Sequence, residues 1–145
     1  MDLSHCPQFF ELLLSSHLRL VGTALCEPQR DPHWLYEQAP FALLAHDTQP
    51  DPCFIYANVS AQRCFGYRWE ELVGLPSRLS AEAPQRAERQ RLLEAVAREG
   101  CIRDYRGVRI AKSGHRFLIE GATVWQLIDT AGRLHGQAAA FRPPG

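Results

Sequence analysis

Five arginines lie where a loop and two neighbouring predicted strands could bring them together. They are Arg78, Arg103, Arg106, Arg109 and Arg116. A guanidinium group forms paired hydrogen bonds with a carboxylate or a phosphate, so a cluster of these residues could bind an anion. The alternative is a solvent-exposed strand face on which Arg116 pairs with Glu120 or Asp104, and this alternative is favoured.

His46 closes a predicted strand next to Asp47, where it could pair with a carboxylate or bind a metal ion. No other histidine stands two, three or four residues further along the chain. Metal sites built on one element usually need such a second ligand. We therefore predict no metal site and favour a structural histidine in the turn.

Short sequence motifs that are typical of enzymes are missing from the chain. It contains no GxSxG motif, no GxGxxG motif and no P-loop. Ser77 and Ser80 flank Arg78 in a loop, where hydrogen bonds to the local backbone are the expected role. We predict no catalytic residues and no enzyme. An enzyme of unknown class stays an alternative, because His46 or His115 could meet a carboxylate from a distant part of the chain.

Aromatic side chains could line a cavity beneath the short central helices, or they could simply fill the core. The aromatic candidates are Tyr56, Trp69, Tyr105, Phe117 and Trp125. A filled core is favoured for Phe117, and Trp125 is open. Polar candidates complete the predicted ligand-binding set, which comprises Tyr56, Asn58, Trp69, Arg78, Tyr105, Arg109, Phe117, Glu120, Trp125 and Gln137.

The charge balance, the cysteine spacing and the apolar runs of the chain argue against several kinds of partner and site. Lysine plus arginine and aspartate plus glutamate number 16 each in a chain of 145 residues. This balance offers no basic field for nucleic acid, so we expect no nucleic-acid partner. The five cysteines form no CxxC pair, which argues against a zinc site and a disulfide framework. Neither a signal peptide nor an apolar run of membrane-spanning length is present, so we expect no membrane partner and a cytoplasmic protein.

The elements that must position these residues can be read in order along the chain. Apolar residues from Gln8 onward predict an amphipathic helix that Gly22 ends, and residues 23–33 are the only plausible linker. We assign residues 1–37 to an N-terminal helical extension. The runs 41–46 and 53–57 predict two strands paired as a hairpin.

Two very short helices follow the hairpin. Asn58 is a good N-cap, and Gly66 and Gly74 stand where a glycine ends each helix. Helices of this length need a sheet to hold them. A loop then leads to a long surface helix from Pro84 to Glu99, whose narrow apolar stripe includes Leu92, Leu93, Val96 and Ala97.

Three strands complete the chain as a β meander, at residues 101–111, 115–128 and 134–141. Strict alternation predicts that one face of the long middle strand carries Phe117, Ile119, Gly121, Thr123, Trp125 and Leu127. Because both faces are largely apolar, we predict that both are covered. Small residues from Gly136 to Ala140 predict the close approach of a helix, a ligand or another chain, with the N-terminal helix as the main candidate.

This order predicts an α+β fold in which a five-stranded antiparallel sheet has helices covering one face, plus the N-terminal helix. The aromatic strand, Asn58, Phe-Gly-Tyr and Glu-Glu-Leu-Val-Gly resemble the pattern of PAS domains. Four longer strings resemble the MEKHLA family of PAS-related domains, in its stand-alone bacterial form. They are PFALLAHDTQPDPCFIYAN, GLPSRLSAEAPQRAERQRLL, YRGVRIAKSGHRF and ATVWQLIDTAGRLHGQAAAF. They define a predicted PAS-like MEKHLA domain over residues 38–142.

The resemblance implies a sensory or protein-interaction role, with no settled ligand. Flavin photoreceptors of this fold carry a reactive cysteine after the short helices, where this chain reads LPSRLSAEA. Haem-binding relatives use a histidine on the long helix, which here has none. The cofactor is therefore unknown. We expect a module that binds a small molecule, a partner or both, and a homodimer through the N-terminal helix or the outer sheet face. A pure dimerisation or protein-interaction domain is the alternative.

Overall fold

The computed structural model describes residues 2–144. Its helices are α1 (Pro7–Val21), α2 (Pro32–Glu37), α3 (Val59–Phe65), α4 (Trp69–Leu72) and α5 (Ala83–Glu99), with a 3₁₀ turn at Ser77–Ser80. Its strands are β1 (Ala42–His46), β2 (Phe54–Ala57), β3 (Cys101–Ile110), β4 (Arg116–Ile128) and β5 (Leu134–Phe141). No helix among these residues is long and apolar enough to cross a membrane.

The five strands form one antiparallel sheet in the order β2-β1-β5-β4-β3. The predicted hairpin pairs β1 with β2, and the predicted meander runs through β3, β4 and β5. Both are confirmed. The last strand, β5, closes the sheet by pairing with β1, which places the two ends of the PAS-like region side by side.

Two separate hydrophobic clusters cover the two faces of the sheet. One cluster packs α3, α4 and α5 against the sheet, and we name this side the α5 face. The other packs α1 and α2 against the opposite side, which we name the α1 face. Gly22 ends α1 in the left-handed conformation, as predicted, with φ of 90°. The expectation that the long strand is covered on both sides is confirmed.

The predicted single face of β4 is wrong because β4 carries a bulge. Gly121 has φ of 64°, and the pairing of β3 with β4 shifts register on both sides of Tyr105. A bulge inserts one extra residue and reverses the alternation beyond it. Phe117 and Ile119 therefore lie in the cluster of the α5 face, whereas Trp125 and Leu127 lie in the cluster of the α1 face.

The close approach predicted for the small residues of β5 involves the main chain of β1. A Cβ atom at Gly136 would lie 1.9 Å from the carbonyl oxygen of His46. Only glycine leaves room for the strand at this point. The expectation of a helix, a ligand or another chain at Gly136 is therefore corrected, although Ala138 does pack in the cluster that includes α1.

Candidate functional site

A cavity of about 80 Å³ lies on the α5 face, between α5, the 3₁₀ turn and the sheet. Most of its wall is hydrocarbon, contributed by Leu44, Phe54, Phe65, Leu92, Ile119, Val124 and Phe141. Its polar lining residues are His46, Ser77, Ser80, Arg89, Tyr105, Arg109 and Gln137. A mainly apolar cavity with a few convergent polar groups is typical of a small-molecule site.

Arg89 reaches the cavity from α5 and is 94% removed from solvent, since its relative exposure is 6%. Its Nη2 donates a hydrogen bond to the hydroxyl oxygen of Ser77. Burial and the neighbouring charge of Arg109 lower the pKa of Arg89 to about 10. The side chain therefore stays protonated at neutral pH.

His46 joins the same group of polar side chains. Its Nδ1 lies 3.0 Å from the Ser77 hydroxyl oxygen. Because Arg89 donates to that oxygen, the Ser77 hydroxyl is free to donate to Nδ1 of a neutral His46. Burial, helped by the charge of Arg89, lowers the pKa of His46 to about 4, so the neutral form prevails at neutral pH.

Arg109 enters the cavity from β3 and is 7% exposed. Its Nη2 donates to the hydroxyl oxygen of Tyr105 at 3.0 Å, and that hydroxyl donates to Oε2 of Glu88 at 2.7 Å. Gly107 makes this arrangement possible. A Cβ atom there would lie 2.3 Å from the Tyr105 hydroxyl oxygen and 3.1 Å from Nη1 of Arg109.

Neither buried arginine has a carboxylate partner within 4.0 Å among residues 2–144. The carboxylate of Asp51 attracts the guanidinium of Arg89 from a longer distance, but its ion pair is with Arg78. Glu88 reaches Arg109 only through the hydroxyl of Tyr105. Two positive charges thus share one cavity without a direct counter-charge from the described part of the chain.

Gln137 adds an acceptor to the site. Its Nε2 donates to the carbonyl oxygen of Leu93 at 3.3 Å. Its Oε1 is buried and has no hydrogen-bond partner within the described residues. A buried amide oxygen of this kind needs a donor from outside the chain to be satisfied.

Three residues of the predicted ligand-binding set come together at this cavity: Tyr105, Arg109 and Gln137. Phe117 lies just behind its wall, with its ring centroid 5.0 Å from that of Phe65. Phe117 belongs to the filled core of the α5 face.

The other three aromatic candidates lie on the opposite side of the sheet. Tyr56 and Trp125 are buried in the cluster of the α1 face, and Trp69 packs against that cluster. The Tyr56 and Trp69 ring centroids are 5.8 Å apart. The structure thus does not bring these three rings to the cavity.

Asn58 is occupied by the fold itself. Its Oδ1 accepts hydrogen bonds from the main-chain nitrogens of Leu43 and Ala61, both at 3.0 Å. Its Nδ2 donates to the carbonyl oxygens of Leu35 and Phe41 at 3.1 and 3.0 Å. This side chain caps α3 and ties three segments together, away from the cavity.

The remaining charged candidates lie on the surface. Glu120 is exposed and pairs with Arg106 at 4.0 Å. Arg78 pairs with Asp51 at 3.2 Å. Arg116 pairs with Glu82, which is a different partner from those expected. Of the five arginines singled out in the sequence, the cavity includes Arg109 alone.

Sequence reasoning missed Arg89, the second buried arginine. Its position carries a usable signal, because Arg89, Leu92 and Val96 are spaced i, i+3, i+7 along α5 and are its buried residues. An arginine within the apolar stripe of an otherwise charged helix must point toward the core. The sequence predicts only local capping for Ser77, whereas its contacts with His46 and Arg89 depend on tertiary packing.

One group of side chains in the described chain has the composition of a metal site. His5, His33 and Glu37 each offer a ligand atom within 4.8 Å of the others, and all three are exposed. His33 Nε2 and Glu37 Oε2 already pair at 3.0 Å as i,i+4 neighbours on α2. An exposed contact between i,i+4 neighbours, with a second histidine beside it, explains this group without a metal.

Solved structures with the same architecture define the class of protein. A PAS domain of a protein from Colwellia psychrerythraea superposes with a TM-score of 0.62 at 19% identity, covering 75% of this chain and 90% of that one. A light-oxygen-voltage domain studied with a flavin analogue gives 0.58 at 17% identity, covering 68% and 73%. An RNA-binding light-oxygen-voltage receptor gives 0.64 at 24% identity, covering 81% of this chain and 34% of the receptor. The chain has the PAS fold.

Sequence comparison then gives the particular family. The profile of the MEKHLA domain matches residues 7–143, which is most of the chain. The protein belongs to the MEKHLA domain family, as the four sequence strings predict. No curated protein matches the chain.

Proposed function

We propose that this MEKHLA domain is a cytoplasmic sensory or regulatory module that binds a small molecule in the cavity of the α5 face. The observation that supports the proposal is the composition of that cavity: an apolar wall with several buried polar groups on it. A core that serves only for stability would fill this space, because protein interiors are close-packed.

The position of the cavity offers a route from binding to response. Its wall is shared by α5, the 3₁₀ turn and all five strands of the sheet. A ligand that contacts α5 and the sheet together would favour the conformation in which they are close. A partner protein that binds α5 in only one of its positions would then respond to the ligand.

The size of the cavity limits what can bind. Pockets for drug-sized ligands measure roughly 300–1,000 Å³. A cavity of about 80 Å³ is several times smaller. The residues present therefore do not fit a flavin, and the segment LPSRLSAEA holds no cysteine to react with one. We propose a ligand of a few heavy atoms.

Native mass spectrometry of the purified chain tests the proposal. We expect either a retained small molecule or a melting temperature that rises with small polar compounds. A variant that fills the cavity, Ala122→Leu, should lose both effects, because Ala122 is buried in its wall. Ala87→Leu, on the exposed side of α5, is the matched control. A wild-type chain that carries nothing and is stabilised by none of the compounds would contradict the proposal.

We further propose a binding module and not an enzyme. His46 is bonded to Ser77 in the cavity, and no carboxylate within the described chain orients its ring. A nucleophile, a base and an orienting group would be needed together for catalysis of the serine-histidine type. We propose no nucleic-acid and no membrane partner, in keeping with the balanced charge.

Self-association is a second candidate function, and one observation favours it. Leu18 on α1 is 55% exposed, the largest exposed fraction of any large hydrophobic side chain in the described chain. The outer face of the sheet is already covered by α1 of the same chain, so we propose a homodimer through the outer side of α1. Residues 1–37 would then act as a helical extension that joins two PAS-like domains.

Light scattering tests the dimer. We expect Leu18→Glu to halve the molar mass of the wild-type particle. Leu134→Glu, at the 44% exposed leucine that opens β5, should leave it unchanged. A monomeric wild type would contradict the dimer, and a dimer with no small molecule bound under any condition would support a pure interaction domain.

A further inference from the structure

The two buried arginines leave a positive charge in the cavity that the described chain does not balance. Removing a charge from water costs several kcal/mol unless it is paired, and two like charges in one cavity raise that cost. Arg89 and Arg109 are 6% and 7% exposed and lack a direct carboxylate partner among residues 2–144. A bound anion would supply the missing charge.

From this imbalance, we propose that the ligand of the cavity is a short-chain carboxylate held by Arg89 and Arg109. This inference rests on the proposed function and names its ligand class. A guanidinium carries five N–H donors. Arg89 uses one for Ser77, and Arg109 uses donors for Val108 and Tyr105. Each arginine thus keeps donors for a carboxylate oxygen.

Gln137 indicates a second functional group on the ligand. Its Oε1 lacks a donor, and a carboxylate has none to offer. A hydroxyl group on the carbon next to the carboxylate would supply one. The amide nitrogen of Gln137 donates to the carbonyl oxygen of Leu93 at 3.3 Å, and this leaves Oε1 as the end of the amide that a ligand hydroxyl would meet. The ligand class is therefore a short hydroxycarboxylate.

The rest of the wall sets the size and the apolar part of the ligand. An engineered protein cavity of roughly 150 Å³ accepts benzene. A cavity of about 80 Å³ is about half as large and suits roughly two to four carbons. Leu44, Phe54 and Phe65 would contact its hydrocarbon part. A bare inorganic anion would place charged oxygens against these side chains at a cost.

Thermal melting and calorimetry with four matched compounds test the inference on the full chain: lactate, propionate, lactamide and propionamide. Sodium chloride at equal ionic strength controls for screening. Lactate should bind tighter than propionate, and both should bind at least about tenfold tighter than their amides. The melting temperature should rise with lactate and stay unchanged with the amides.

Variants assign the effect to the two arginines. Arg89→Gln and Arg109→Gln should each weaken lactate binding by about 10- to 100-fold. Arg91→Gln and Arg106→Gln are matched controls, because they remove exposed arginines from the same helix and the same strand. Arg89→Lys keeps the charge and loses the planar fork, so it should bind with intermediate affinity. Unchanged binding in both Gln variants would overturn the inference.

The other outcomes separate this inference from the proposed function. If the amides bind as well as the acids, the ligand is not specifically a carboxylate, but the cavity is still a small-molecule site. Equal binding of lactate and propionate would overturn the role of Gln137. Inorganic phosphate that binds tighter than either acid would contradict a carboxylate. If none of these binds and native mass spectrometry finds nothing, both the ligand class and the proposed function fail.

Discussion

The two faces of the sheet bury polar groups in different ways. On the α1 face, the indole nitrogen of Trp125 donates to the hydroxyl oxygen of Ser16 at 3.0 Å, and that hydroxyl donates to the carbonyl oxygen of Leu12 at 2.6 Å. On the α5 face, two charged guanidinium groups adjoin a cavity without a carboxylate partner in the described chain. The first arrangement is complete within the protein, whereas the second leaves two charges for the proposed ligand to balance.

Tyr56 is an exception to the complete hydrogen bonding of the α1 face. Its hydroxyl is buried on the α1 face and has no partner within residues 2–144. The group is neutral at pH 7, as any tyrosine with an ordinary pKa is, and burial raises its pKa further. A neutral unpaired hydroxyl costs far less than an unpaired charge. Packing tolerates the unpaired hydroxyl of Tyr56, which does not line the cavity of the α5 face. Gln137, Arg89 and Arg109 do line that cavity, where the proposed ligand would satisfy their unpaired groups.

The largest expected effect lies on the α1 face. Trp125→Ala should lower the free energy of unfolding by about 3–5 kcal/mol, because it empties a fully buried site and removes the donor to Ser16. Chemical denaturation measures the change. Lactate should still stabilise whatever fraction of the variant folds. A loss below about 1 kcal/mol would show that the α1 face is not the structural side.

The pH dependence of stability tests the buried polar groups of the α5 face through His46. The pKa of His46 is lowered from its ordinary 6.5 to about 4 in the folded chain. Its contribution to stability is therefore complete above pH 6.5 and is lost as the pH falls toward 4. The loss should reach up to about 3 kcal/mol.

His46→Asn isolates this contribution. The amide oxygen of the new side chain can accept the bond from Ser77 in place of Nδ1 and does not titrate. Unfolding by urea at pH 7 and at pH 4 should show a steeper decline for the wild type than for the variant. Equal declines would place the titration in other groups.

Gly107 tests the geometry that holds Arg109. We expect Gly107→Ala to displace the Tyr105 hydroxyl and to cost about 1–3 kcal/mol, because a Cβ atom would overlap it. Lactate binding should weaken in parallel. Gly114→Ala, at a turn glycine with open space but positive φ, is a control for backbone strain alone. An effect on lactate binding from Gly114→Ala would weaken the geometric explanation.

The smallest expected change in the free energy of unfolding is that of Arg89→Gln, and it best distinguishes a ligand-binding arginine from a structural one. Without ligand, Arg89→Gln should change the free energy of unfolding by less than about 1 kcal/mol, or increase it, because it removes an unpaired buried charge. A salt-bridged structural arginine would cost about 3–5 kcal/mol when removed. Denaturation in chloride buffer free of carboxylates measures the difference.

Local sequence signals were sufficient for most of the fold. Asn58, Gly22 and Gly66 end or begin helices where capping chemistry places them. Alternation predicted the strands and the covered faces. The bulge at Gly121 was missed because a single glycine in a strand does not reveal whether a residue is inserted, and that one residue moved Trp125 to the other face.

The site could be predicted only in part. Arg109, Tyr105 and Gln137 are near the cavity because strand register brings them there, and the alternation of β3 and β5 carries that information. Arg89 and Ser77 meet through the packing of α5 on the 3₁₀ turn, which no local pattern encodes. The exposed arginines of β3 and β4 are candidates for the same reason as Arg109, since the residues of a strand with apolar and charged side chains mixed do not show which arginine is buried.

The proposed carboxylate would bind to Arg89 and Arg109 in the cavity of the α5 face. Side-chain ¹⁵N spectra of the arginines, recorded while lactate is titrated into the full chain, observe this contact at the guanidinium groups themselves. We predict saturable shifts of the guanidinium signals of Arg89 and Arg109, with Arg91 and Arg106 unmoved. Saturable shifts confined to exposed arginines, or no shifts at all, would show that the two buried arginines do not bind the carboxylate.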